Sequence, residues 1–519
     1  MRLRRLGALC LALLTLGGTA LATTAHKDES LVLGMVSVST QRTNPLLLQE
    51  REFMGLTALV YGSLVVIDDD YMPKPGVAEN WEASPGGGTW TFTLREGVYF
   101  HDGSELTSAD VVATVNEILR LGNDETNPFK GVYSSLKYFI ASISAGDPYT
   151  VEIRTNRANR GFLYAMTFPI LPEEAVQADN PPGTGPFVMS SFVPADYMQL
   201  TANPLWWDGT PALKEIMTIF HSGSKPLISS YEYNRVDAIA TRSLTAAQYR
   251  SGMNSLHMSY RTKQLETLLF NTTAREFTDV NVRRAVRYAI NVDAIANSTY
   301  MGLVARTNTP MISGTWTHQE PTGTFEFNPE KARRLLEEAG WTDVNGDGWR
   351  YKQLDGKLAK LSLRFVVYEE VENSVRISTA HQIANMLQSV GIEARVQPET
   401  FENALARLKA GSFDMALAAY NMDVVPDPGF LLMKGNTGNY MRYSNERMDQ
   451  LFTKLRQTMD QQEYQQTLFD IQALYAEDVP FITLFYRNGA ILTRRMFTKA
   501  RSIREPDIFR GIEEGIREE

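Results

Sequence analysis

The sequence predicts an α/β protein of two or three domains. Three observations carry this reading: 519 residues exceed what one core usually serves, the second half alternates strand-period with helix-period segments, and the first half is a run of short strands, turns and prolines. In chain order, Trp90 to Leu94 reads as a strand after the turn Pro85-Gly86-Gly87-Gly88. In the segment LREGVYFHDGSELTSADV, Leu94, Val98 and Phe100 are apolar in an extended run and Asp102-Gly103 supply a turn. Thr107 is then placed to cap a helix whose third residue is Asp110. Further on, Pro329 to Ala339 has the marks of a helix. Asn328 is its cap, Pro329 its first residue, Ala332, Leu335, Leu336 and Ala339 its inner face, and Gly340 its stop.

From there the alternation is regular. Leu361 to Tyr368 is a β-rich run, and Ser374 to Val390 puts Ile377, Ala380, Ile383, Ala384 and Leu387 on one helical face before Gly391 ends it. Ile392, Ala394 and Val396 alternate as a strand, a helix through Leu405 and Leu408 follows, and Phe413 to Ala419 is another buried strand. Strands joined by crossover helices imply an α/β lobe.

Arg2, Arg4 and Arg5, an apolar run from Leu6 to Leu16 and Ala20-Leu21-Ala22 read as a secretory signal over residues 1–22, too short to span a bilayer. Cys10, the one cysteine, falls inside that run, where a lipid-attachment cysteine would instead close it. Cleavage after Ala22 would leave a soluble chain without disulfides and take the formal charge from −9 to −12, with 48 basic against 60 acidic side chains. An acidic surface disfavours nucleic acid and anionic lipid as partners.

Several short motifs recur in order along the chain: PGVAENW (Pro75 to Trp81), GTGPF (Gly183 to Phe187), NPLWWDG (Asn203 to Gly209), VNVRRAVRYAINVD (Val280 to Asp293), NPEKARRLLEEAGW (Asn328 to Trp341), GSFDM (Gly411 to Met415) and Asp427-Pro428. Together with the Leu94 to Val111 segment, this series resembles the large extracytoplasmic solute-binding proteins of ABC importers, the oligopeptide-, dipeptide- and nickel-binding family 5. The resemblance implies a periplasmic-binding-protein-like fold of two lobes with a deep interdomain cleft and a two-strand hinge. Lobe I would comprise 23–60, 183–270 and 478–519, with an inserted subdomain at 61–182, and lobe II 271–477. The chain would cross near Phe270 and return near Asp478, so that the lobes close on a trapped ligand. It also implies a periplasmic, monomeric receptor that hands a small peptide or similar amine-bearing solute to a membrane permease and its ATPase. A nickel chelate or other small solute, or a ligand-presenting sensor, are the alternatives of the same fold.

Asp423 lies in YNMDVVPDPGF just past a predicted strand end, the usual ligand edge of such sheets. In peptide-binding relatives an aspartate of the matching stretch pairs with the ligand's α-amino group, which makes Asp423 the expected amino anchor, flanked by Tyr420 and Asn421; the plainer reading is a turn aspartate. The loop Ser37 to Asn44 has cleft-lining counterparts in relatives, so Ser39, Thr40 and Arg42 are candidates, against ordinary solvation. Trp316, Tyr420 and Tyr440 are candidate aromatic walls, while Trp206 and Trp207 are assigned to packing. Dipeptide-binding relatives hold the ligand carboxylate with an arginine in the loop that here reads Glu369, Glu370, Val371, Glu372, Asn373, Ser374; the next arginine, Arg376, falls where a helix should begin. Glu370 and its neighbours either face the cleft and favour a cationic ligand or form a solvated loop.

No catalytic residue, metal site or cofactor is expected. There is no GxSxG elbow, and no surviving cysteine or singled-out carboxylate pair supports a hydrolase. Six histidines show no HxxxH or HExxH spacing. Asp343 to Gly348 (DVNGDG) opens like a calcium loop, but its twelfth position is Leu354, so a tight turn explains it better.

Overall fold

The structure, a computed structural model, describes residues 29–517 apart from 49, 127–130, 157–159, 250–254, 322–325, 371–373 and 498–502. The expected leader at 1–22 and Val371, Glu372 and Asn373 of the acidic loop lie outside the described residues. Among these, no helix is long and apolar enough to cross a membrane.

An eleven-stranded mixed sheet runs through the molecule. Its order is Glu393–Glu399, Ser362–Tyr368, Met415–Asn421, Leu256–Phe270, Phe481–Thr493, Ala238–Thr241, Ser30–Val36, Glu215–His221, Tyr197–Ala202 and Phe187–Val193, with Val304–Arg306 also paired to Phe481–Thr493. The two central strands are the longest and antiparallel to each other, and their register breaks between Arg261 and Leu265. Side chains change allegiance at the same place. Tyr260 and Ile491 belong to a core that also holds Leu31, Phe53, Phe92 and Phe187, whereas Leu265, Leu268, Phe481 and Phe485 belong to cores built with Phe365, Ile383 and Leu468. The long strands therefore pass from one hydrophobic core to the other within their own length, not at their ends near Phe270 and Asp478.

Close contact at this passage needs a residue without a side chain. A Cβ on Gly489 would sit 2.1 Å from the Tyr260 ring, so only glycine lets the tyrosine lie across the second long strand. GTGPF has a similar explanation, because a Cβ on Gly183 would fall 1.9 Å from the carbonyl oxygen of Val60.

A separate antiparallel sheet, in the order Ala78–Ala83, Thr89–Leu94, Thr150–Thr155, Ile140–Asp147, covers the first core together with the helix Ser108–Asn123. Asp110 accepts from the Thr107 backbone N–H at 2.8 Å and from its hydroxyl at 3.1 Å, fixing the helix start where the sequence places it. In the second half Pro329–Glu338 and Val375–Gln388 end within two residues of expectation, and Phe401–Ala410 contains the expected Leu405 and Leu408. Asn328 caps the first through Lys331 N at 2.9 Å, and Gly340 and Gly391 take the left-handed conformation after their helices. At DVNGDG, Asp343 accepts from Gly348 N at 3.0 Å and Asp347 from Trp349 N at 3.0 Å and the Tyr351 hydroxyl at 2.7 Å, so these carboxylates tie a turn.

Candidate functional site

The strand Met415–Asn421 ends beside the register break, and the backbone N–H of Met422 donates to the carbonyl of Lys263 at 2.8 Å. This bond carries Asn421 to Val425 out over the opening between the two cores. There they form one wall of a cavity of about 520 Å³. The lining also includes the first-core helix Arg51–Val60 and its exit through Tyr61, the aromatic side chains Tyr133, Phe139 and Tyr164, and the pair Trp206 and Trp207. Lys263 of the first long strand and the C-terminal arm, Arg504 to Glu513, complete the wall. A volume of several hundred cubic ångströms with aromatic sides and a few polar groups suits a small organic ligand.

The wall's charges are uneven. Five carboxylates (Asp208, Asp423, Glu505, Asp507, Glu513) face three cations (Lys263, Arg504, Arg510). Glu505 is buried, paired with Arg242, and accepts from Lys263 N at 3.1 Å. Arg504 donates to the carbonyls of Ile67 and Asp68, both at 2.9 Å, with its guanidinium 4.1 Å from the Tyr71 ring, and Arg510 donates to Ile67 and lies 3.7 Å from Asp69. Asp208, Asp423, Asp507 and Glu513 have no ion pair among the described residues. Burial pushes the Asp507 carboxyl up against the pull of Arg510 and Arg504, and burial, helped by Asp507 and Glu514, raises Glu513.

Of the residues singled out from sequence, Asn421 and Asp423 stand in this wall, both exposed, and Asp423 accepts only from its neighbour Val424 N at 2.7 Å. The others lie elsewhere. The N–H and hydroxyl of Ser39 bond to Glu50, Thr40 N donates to the same oxygen at 2.9 Å, and Arg42 pairs with Asp179 at 3.2 Å. Burial raises the Glu50 carboxyl, but hydrogen bonds from Ser39 and the Val38 N–H outweigh it and hold the group below its usual range. Tyr420 is buried, its hydroxyl donating to Gly438 O at 2.9 Å and its ring stacked on Tyr440 at 6.4 Å, so both rings serve the core. Glu370 accepts from Arg376 at 2.6 Å.

Arg376 itself is fully buried. Its guanidinium forks onto both oxygens of Glu266, at 2.8 and 2.9 Å, and lies 4.1 Å from the Tyr368 ring. It is spent inside the second core and does not reach the cavity.

Trp316 lies on a second opening of about 490 Å³ with Met72, Trp81, Trp90, Arg160 and Met459. Its indole N–H is shared between the Tyr164 hydroxyl at 2.9 Å and Tyr71 O at 3.2 Å. Beside it, Arg160 donates to Met459 O at 3.0 Å and to Gln461 at 2.7 Å. These bonds join the two cores along a seam next to the cavity.

The C-terminal arm, Lys263 and the tyrosines escaped the sequence reading, and Trp206 and Trp207 line the cavity where packing was expected. A signal for the arm does exist: between Ile503 and Glu514 the apolar Ile503, Ile508, Phe509 and Ile512 are all buried and interleave with charged residues.

The model of bacterial extracellular solute-binding proteins, family 5 middle, matches residues 72–442. The oligopeptide-binding protein AppA of Bacillus subtilis is 24% identical over 491 residues, covering 89% of this chain and 87% of that one. Heme-binding protein A of Haemophilus influenzae is 24% identical over 474 residues, covering 85% and 84%. Among solved structures, NikA from Brucella suis in complex with Fe(III)-EDTA superposes with a TM-score of 0.78 at 21% identity, over 94% of this chain and all of that one. AppA from Bacillus subtilis with a nonapeptide gives 0.68 at 22% identity, over 94% and 99%.

Proposed function

Because the chain belongs to the bacterial extracellular solute-binding proteins of family 5, we propose that it captures a short peptide or similar amine-bearing solute in the cavity between its two cores and delivers it to a membrane permease and ATPase. The observation that carries this reading is Asp423, exposed at a strand end on the cavity wall and without a basic partner among the described residues. A carboxylate so placed is a directional, charge-assisted acceptor for an ammonium group. The aromatic side chains of the same lining supply apolar contact at small entropic cost.

Capture requires the halves to move. The two long strands are the continuous links of the sheet across the passage, so the hinge would lie at 261–264 and 487–489, with lobe I before and after it and lobe II between. The seam bonds of Trp316 and Arg160 exist only when the halves meet, and such closed-state contacts are what drive closure. The protein would act without a catalytic step, as a monomer, in the periplasm after loss of residues 1–22.

Mass spectrometry of what co-purifies with the native protein identifies the ligand class, and calorimetry with Asp423→Asn tests the anchor. The substitution should weaken amine-bearing ligands at least tenfold with little change in Tm. Equal affinity would remove Asp423 from the site, and a co-purified metal chelate would replace the peptide.

A further inference from the structure

We infer that the cavity is selective for solutes with a second positive charge besides the one that meets Asp423, namely short peptides bearing a lysine or arginine side chain, with Glu513 and Asp507 of the C-terminal arm as its partners. The inference rests on the cavity being the ligand site and goes beyond it by naming the ligand's charge.

The cavity's lining carries more carboxylates than cations. Its two arginines are turned to structural acceptors, Arg504 onto the carbonyls of Ile67 and Asp68 and Arg510 onto Ile67. Glu505 is matched by Arg242. Asp507 and Glu513 are left on the arm, in the lining of the same cavity as Asp423, with no ion pair among the described residues. Carboxylates in such surroundings lower their free energy by meeting a cation. The rings that line the same cavity suit the same guest, since an ammonium or guanidinium is attracted to aromatic faces and its alkyl stem packs on them. A neutral side chain would leave the carboxylates unmatched, and an acidic one would repel them.

Arg376 is held by Glu266 and Glu370, so it offers no guanidinium to a ligand carboxylate. The cavity is thus equipped for positive groups more fully than for a free carboxylate.

The test is calorimetry of the purified protein with Ala-Lys-Ala, Ala-Ala-Ala, Ala-Glu-Ala and 1,5-diaminopentane. Ala-Lys-Ala should bind at least tenfold tighter than Ala-Ala-Ala, with Ala-Glu-Ala weakest. In the Asp507→Asn, Glu513→Gln double variant the lysine advantage over Ala-Ala-Ala should fall below threefold, with an unchanged circular dichroism spectrum and a cooperative melt reporting correct folding. Equal affinities for the lysine and alanine peptides, an advantage that survives in the double variant, or no binding by either cationic probe would each overturn the inference. Tight binding of the diamine alone would uphold the charge selectivity and instead overturn the peptide reading on which it rests.

Discussion

Glu266→Gln offers the sharpest perturbation, because it separates a structural arginine from a ligand-binding one. Glu266 and Arg376 are each 1% exposed, and the guanidinium makes two bonds to Glu266 and one to Glu370, with its Nε already unpartnered. Removing one partner of a buried pair costs about 3–5 kcal/mol, since the other charge stays behind without compensation. Glutamine keeps one acceptor oxygen, so the loss belongs at the lower end, about 3 kcal/mol. With a urea m-value near 3 kcal/mol/M, the unfolding midpoint of the lobe that contains the pair should fall by about 1 M. The double variant Glu266→Leu, Arg376→Met replaces the pair by apolar side chains of similar size and should recover most of the loss. It should also bind Ala-Ala-Ala as wild type does. A stable single variant would refute the buried-charge argument, and a double variant that folds but binds tenfold more weakly would put Arg376 back at the ligand.

Trp316→Phe removes the indole donor to Tyr164 and Tyr71, about 1 kcal/mol of closed-state stabilisation. Ligand dissociation, followed by chasing a radiolabelled peptide, should quicken about fivefold with an unchanged association rate. Gly489→Ala drives a methyl into the Tyr260 ring and should cost about 1–3 kcal/mol, read as a lower Tm. For pH, Asp507 and Glu513 have folded values above their ordinary 3.8 and 4.5, so the folded protein binds more protons. Their contribution to stability is therefore full below those values and is lost as pH rises through the raised ones. Over the same window Ala-Lys-Ala should gain affinity with rising pH and release protons on binding, seen as a buffer-dependent calorimetric heat that vanishes in the Asp507→Asn, Glu513→Gln variant.

What the sequence made legible was local. The Pro329–Glu338 helix is written in four adjacent signals, a cap, a proline, an apolar face and a terminal glycine, none of which needs a distant partner. Asp423 was legible for a related reason, as its place follows from a strand end. The failures of foresight are all non-local. Glu266 lies 110 positions from Arg376, so no spacing announces their pairing. Ser39 and Thr40 look like free donors until the fold turns Glu50 towards them. Tyr420 and Tyr440 look like a binding wall because aromatic residues near an α/β strand end suit a ligand as well as a core, and only their mutual stacking decides between the two. The C-terminal arm follows the last strand of the main sheet, and its return to the cavity depends on the whole of the first core being in place.

The placing of the tryptophans has a practical result. The chain has seven, of which Trp341 is buried in the second core and Trp349 lies under the Lys360 ammonium at 3.7 Å. The other five border the two openings between the halves, Trp206 and Trp207 at the larger and Trp81, Trp90 and Trp316 at the smaller. Indole emission responds to the polarity and hydrogen bonding around the ring, so closing or parting the halves would change the surroundings of five of the seven indoles. A change in that emission on adding a peptide would report occupancy without an added dye.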